Sequence, residues 1–294
     1  LSHQTRHIAY VGFFLIFHRR NLSGVLYNDP SDFVGGMAVI LRGSFYSQAL
    51  GRQTNITLVG PDVWPQAGAC KTAYVLHGME GNQDTWADNS LLPLYAAKGN
   101  TLYVLPDGGR SFYRDMPQGP RYFTYLSQEL PQMVRQRFQV SPIREDTAVL
   151  GCSMGGYGAL LCALGCPERF GLCAAFAPAC LFAGEALALA DSPAPPSSFA
   201  AAWARRRRDD LHHAFGDGTA SPDLTGQAAA LPAALRPQLY LACGSRDPFL
   251  PDLRRFAAAL QALGWAATAE EWEGIHDYCF FDAALARAIR RFRL

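Results

Sequence analysis

Thr147-Ala148-Val149-Leu150-Gly151-Cys152-Ser153-Met154-Gly155-Gly156-Tyr157-Gly158-Ala159-Leu160 passes from an apolar run, through a serine between glycines, into small residues that can open a helix. Gly151, Ser153 and Gly155 form a G-x-S-x-G pattern. The pentapeptide alone is weak, but its setting is specific. A strand before it and a helix after it put the serine on a strained strand-to-helix turn that presents its hydroxyl outward. Glycines on either side let two backbones pass closely. The helix N-terminus then aims amides and the positive end of its dipole at a developing oxyanion. Ser153 is therefore the candidate nucleophile, and the backbone amide of Met154 the first candidate oxyanion donor. Cys152 adjoins it, but only the central residue of such a turn faces outward, so Cys152 reads as a packed core cysteine.

Outward from this turn, short apolar runs alternate with amphipathic stretches. Strands are expected at 55–59, 72–76, 101–105, 147–150, 172–176, 238–243 and 268–272. Several are nearly continuous apolar runs, as for strands covered on both faces. Residues 122–138 carry Tyr122, Leu126, Leu130, Val134 and Phe138 near helical spacing, and the C-terminal stretch repeats this with Phe281, Leu285, Ile289 and Phe292. The alternation predicts an α/β fold with a mostly parallel central sheet and helices on both faces, the α/β-hydrolase arrangement. Between Pro178 and Pro237 the rhythm breaks, and about 181–236 reads as an insertion over the carboxyl ends of the strands. Ligands bind at that edge in open α/β sheets. The insertion either shapes the acyl or alcohol pocket or is a surface excursion without a role.

The fold orders its catalytic residues as nucleophile, acid, histidine. Of seven histidines, His3, His7, His18 and His77 precede Ser153, and His212 and His213 lie in the insertion. His276 follows the last strand and opens the final helix, so it is the candidate general base. Asp247 follows strand 238–243 on a loop at the same edge and is the candidate acid, which would hold the imidazole tautomer. Asp252 is the fallback; Asp217 and Asp223 are delivered by no strand. Strand 72–76 runs into His77-Gly78-Met79, a loop of the kind that supplies the second oxyanion amide. That amide is assigned to Met79, with His77 bracing the loop.

The rest of the composition is quiet. The net charge is +1 from 26 basic and 25 acidic residues, which leaves no footprint for nucleic acid or an anionic membrane. Arg205 to Arg208, followed by Asp209 and Asp210, reads as a solvated helix face. The eight cysteines sit mostly in apolar runs, so they read as reduced and the compartment as cytoplasmic. No metal-ligand set, P-loop or dinucleotide fingerprint occurs, so no cofactor is expected. Ile8 to Phe17 is apolar but too short to span a bilayer. Residues 1–36 read as a non-domain extension from an over-extended reading frame starting ahead of Met37, with an export signal as the alternative. The domain is expected over 37–294.

Leu76-His77-Gly78, Pro106-Asp107-Gly108-Gly109-Arg110-Ser111-Phe112-Tyr113, Tyr122-Phe123-Thr124-Tyr125-Leu126, Arg144-Glu145-Asp146-Thr147, Ser153 to Leu160 and Gly274-Ile275-His276-Asp277 resemble, in the same order, the putative-esterase family. That family includes esterase D / S-formylglutathione hydrolase, tributyrin esterases and some feruloyl and acetyl-xylan esterases; the tributyrin esterases look most alike. The resemblance runs from about Met37 to the C-terminus. It implies a Ser153, Asp247, His276 triad, an oxyanion hole of Met79 and Met154 amides, and hydrolysis of small-molecule esters with short or compact acyl groups. A thioesterase acting on S-formylglutathione, or release of ferulate or acetate from plant polysaccharide, are its alternatives. Trp86, Phe112 and Tyr113 would suit a phenolic acyl group or be simple packing. A homo-oligomer is compatible with the sequence, which does not reveal one. Cys152, where an aliphatic residue is expected, and the extension are the departures.

Overall fold

The computed structural model describes residues 37–62, 70–116, 118–193, 195–217 and 223–294. The reading of residues 1–36 falls outside them. Eight strands form one sheet: β1 (Ala38–Ser47), β2 (Arg52–Pro61), β3 (Lys71–Leu76), β4 (Thr101–Pro106), β5 (Thr147–Cys152), β6 (Leu172–Phe176), β7 (Gln238–Gly244) and β8 (Thr268–Trp272), in the order β1-β2-β4-β3-β5-β6-β7-β8. β1 and β2 pair antiparallel, as do β2 and β4; every later pairing is parallel. Seven strands fall where the apolar runs put them. β1 was not anticipated, although it opens with the apolar run Ala38 to Leu41; it is an edge strand, half of it exposed, with Ala38, Ile40 and Phe45 packed partly buried on the core. Every residue of β4, β5 and β6 is buried.

The helices are α1 (Thr85–Asn89), α2 (Leu92–Ala96), α3 (Tyr122–Thr124), α4 (Leu130–Arg137), α5 (Met154–Gly165), α6 (Ala183–Asp191), α7 (Phe199–Arg206), α8 (Arg208–Phe215), α9 (Leu224–Ala230), α10 (Leu250–Ala262) and α11 (Tyr278–Phe292). α2 packs against α11, while α9 packs against both α5 and α10, and these two groups cover the sheet. The helix expected over 122–138 is interrupted. Residues Tyr125–Glu129 widen into a π-helical turn, in which Leu130 N–H donates to the Tyr125 carbonyl. The cause is Pro131, which has no N–H for the Ser127 carbonyl; the Arg169 guanidinium donates to that carbonyl instead. The predicted apolar stripe survives, with Tyr122, Leu126, Leu130 and Val134 buried.

Four helices, α6 to α9, occupy the insertion between β6 and β7. Local signals start three later helices: Ser198, Asp223 and Asp277 accept backbone N–H groups at the starts of α7, α9 and α11. Among the described residues no helix is long and apolar enough to cross a membrane.

Candidate active site

Ser153 sits between β5 and α5 at φ 55° and ψ −121°, a left-hand-side backbone conformation that costs a non-glycine residue energy. The surroundings hold it there. Ser153 N–H donates to the Phe176 carbonyl at 2.9 Å, and its own carbonyl accepts from Tyr157 N–H and Ala179 N–H, both at 3.1 Å. The flanking glycines are needed for close approach. A β-carbon on Gly151 would lie 2.3 Å from the Gly155 carbonyl oxygen, and one on Gly155 would lie 2.3 Å from the Leu76 oxygen. The elbow is thus pressed onto the end of β3, where the loop bearing Met79 begins.

That loop lies directly against Ser153: a β-carbon built on Gly78 would sit 3.5 Å from Ser153 Cβ. His77 is 1 % exposed and braces the loop as expected. Its Nε2 accepts from Gly108 N–H at 2.9 Å, which fixes the proton on Nδ1, 2.7 Å from the Gly78 carbonyl. Tyr113 donates its hydroxyl to the His77 carbonyl at 3.0 Å, and the Trp86 indole N–H donates to the Leu76 carbonyl at 2.9 Å. With Phe112, these aromatics are at most 1 % exposed, so they pack and brace rather than line a phenolic pocket. Met154 opens α5, where an N–H has no intrahelical acceptor. Among the described residues no backbone acceptor is recorded for Met79 N–H either.

Asp247 and His276 meet. Asp247 Oδ2 lies 2.7 Å from His276 Nδ1, and its Oδ1 accepts Phe249 N–H at 2.9 Å. The Asp247 side chain is fully buried and that of His276 is 26 % exposed. A buried carboxylate that only accepts leaves Nδ1 as the donor, so that Nε2 carries the lone pair. The two loops are tied by backbone: Ser245 N–H donates to the Trp272 carbonyl at 2.8 Å and Arg246 N–H to that of Gly274 at 3.0 Å. The rings of Phe249 and Phe281 stand edge-on to the imidazole at 5.1 and 5.0 Å. No direct hydrogen bond joins Ser153 and His276 among the described residues. The chain around them does converge: Tyr278, two residues past His276, points its hydroxyl to within 4.0 Å of Cys152 Sγ.

The rival residues are elsewhere. Burial pushes the Cys152 thiol up to about 12, so it is no nucleophile at neutral pH. His212 pairs with Asp191 at 2.9 Å on α8, and His213 is exposed. Asp223 caps α9, and Asp252 lies in the first turn of α10. The basic run is not a plain solvated face. Arg207 pairs with Glu80, next to Met79, and Arg208 with Asp191 at 2.7 Å. Sequence reading missed Phe249 and Trp203, whose rings meet edge to face at 5.5 Å beside His276. Neither carries a local signal, since only folding brings the insertion to the β7 loop.

The parallel sheet, the elbow and the loop order define an α/β-hydrolase. The chain belongs to the putative esterase family, whose sequence profile matches residues 47–292, and it is a carboxylic ester hydrolase. It is similar to an acetyl esterase of Caldicellulosiruptor saccharolyticus, 29% identical over 264 residues, which covers 85% of this chain and 96% of that protein. It is also similar to the S-formylglutathione hydrolase of Mus musculus, 30% identical over 141 residues, 40% of this chain and 49% of that protein. In structure it resembles the fluorophosphonate-binding serine hydrolase F of Staphylococcus aureus. There the TM-score is 0.72 at 24% identity, covering 87% of this chain and 99% of the other.

Proposed function

We propose that the protein is a serine carboxylesterase that hydrolyses small esters with short or compact acyl groups through an acyl-enzyme. Ser153 Oγ attacks the ester carbonyl while His276 Nε2 takes its proton. Asp247 stabilises the imidazolium. The amides of Met79 and Met154 hold the oxyanion. His276 then protonates the departing alcohol, and water activated by the same imidazole hydrolyses the acyl-Ser153. The observation that carries this reading is the 2.7 Å bond between Asp247 and His276, at the same sheet edge as the strained Ser153. The similarity to an acetyl esterase supports a compact acyl group. Eight free cysteines suit a reducing cytoplasm.

Replacing Ser153 with Ala should abolish turnover of p-nitrophenyl acetate and labelling by a fluorophosphonate. Retention of most activity would refute the assignment. A second reading, a thioesterase for S-formylglutathione, draws on the partial similarity to the mouse enzyme. Comparing kcat/KM on S-formylglutathione with that on simple acetates separates the two.

A further inference from the structure

The insertion reaches the histidine side of the site. Trp203 on α7 packs its ring edge-on against Phe249 at 5.5 Å, and Phe249 packs against the His276 imidazole at 5.1 Å. Phe199 lies four residues before Trp203, one turn earlier on the same helix face. It is 60% exposed, and Ile275, the residue before His276, is 47% exposed. These are large apolar side chains left open to solvent, Ile275 next to His276 in the chain and Phe199 one turn from Trp203. Two surface ion pairs flank the helix that bears Phe199 and Trp203. Arg207, just past its C-terminal end, pairs with Glu80 of the oxyanion loop, and Arg110 pairs with Asp210 of α8 at 3.1 Å.

The chemistry assigns this wall a side of the substrate. His276 must deliver a proton to the leaving oxygen, so the alcohol portion of the ester sits against the imidazole and what flanks it. Building on the Ser153–His276 reading, we propose that Phe199 and Trp203 form the leaving-group wall and select esters of apolar alcohols. Arg207, just past the helix, and Arg246, on the loop after β7, are each ion-paired, with Glu80 and Glu273.

The test uses ethyl, butyl and benzyl acetates. All form the same acetyl-enzyme, so differences in kcat/KM among them report acylation alone. One apolar contact discriminates by about 10-fold or more, so kcat/KM should rise by about that factor from ethyl to benzyl acetate. Phe199→Ser, at an exposed position, should cut the benzyl-to-ethyl ratio by about five- to tenfold, and Trp203→Ala further. The butyrate-to-acetate ratio with a common alcohol should hold within about twofold, because the acyl group lies on the other side of the scissile bond. A flat alcohol series in the parent enzyme, an unchanged ratio in Phe199→Ser, or a shift in the acyl ratio instead would each overturn the proposal. Failure of Ser153 to take up a fluorophosphonate would instead sink the esterase mechanism; intact labelling with a flat alcohol series removes only the leaving-group wall.

Discussion

His276 Nδ1 and Asp247 Oδ2 lie 2.7 Å apart although 29 residues separate them in the chain, and the carboxylate is sealed from solvent. This bond settles which imidazole nitrogen carries the proton. Asp247→Asn would keep the shape but present an amide N–H to Nδ1, favouring the wrong tautomer. The expected result is a fall in kcat of about 10³- to 10⁴-fold on p-nitrophenyl acetate, with an unchanged melting profile. A variant within tenfold of the parent would remove Asp247 from the relay.

The pair Glu80–Arg207 joins the loop bearing Met79, the proposed oxyanion donor, to the insertion. Glu80 is 72% exposed, so its contribution to stability is small. Its position next to Met79 makes it a positioning residue. Glu80→Gln should lower kcat by about three- to fivefold with little change in KM, the scale of an exposed pair. A double-mutant cycle with Arg207→Gln should show the two losses to be non-additive. Additive losses would mean that the pair does not act as a unit.

Cys152 neighbours the nucleophile but faces the core at 1% exposure. Cys152→Ala should keep kcat within about threefold and cost about 1 kcal/mol of stability in a denaturant titration. Iodoacetamide on the native protein at pH 8 should modify exposed Cys279 and spare Cys152, read by peptide mass.

Two glycine substitutions should behave oppositely. Gly155→Ala drives its β-carbon to 2.3 Å from the Leu76 oxygen and 2.7 Å from the His77 oxygen, both backbone atoms that cannot rotate away. A loss of roughly 2–3 kcal/mol is expected, or failure to fold. Gly184 on α6 meets nothing within 4 Å, so Gly184→Ala should stabilise by roughly 0.5–1 kcal/mol. Urea midpoints of the two variants decide both.

Asp84 supplies a pH test. Burial alone would raise its pKa, but hydrogen bonds from Thr57, Arg42 and Gln83 outweigh this and hold the carboxyl below its ordinary value. A depressed folded-state pKa contributes stability above the unfolded value, near 4, and loses it as pH falls through the folded value. The melting temperature of Asp84→Asn should therefore lie below the parent's at pH 7, and the gap should narrow as pH falls below about 4. A gap that widens in acid would reverse the sign.

The core strands were legible because each is buried on both faces, which writes a continuous apolar run into residues 101–105, 147–150 and 172–176. β1, an edge strand, is continuously apolar only over Ala38 to Leu41, and its mixed remainder hides the element's extent. The π turn at Tyr125–Glu129 was hidden for another reason: Pro131 leaves the Ser127 carbonyl without a helical donor, and the Arg169 guanidinium that donates to it comes from a distant segment no local pattern encodes.

The sequence by itself determined the elbow around Ser153, the order of the strands' apolar runs and the chain order that singles out Asp247 and His276. These are local or ordinal properties, written in glycine placement, period and succession. Only the tertiary structure decided that Asp247 and His276 bond, that Trp86 and Tyr113 brace the loop bearing Met79, and that Trp203 packs on the Phe249 ring that lies against His276. Such contacts join segments tens of residues apart, and their energy exists only once the sheet has brought those segments together.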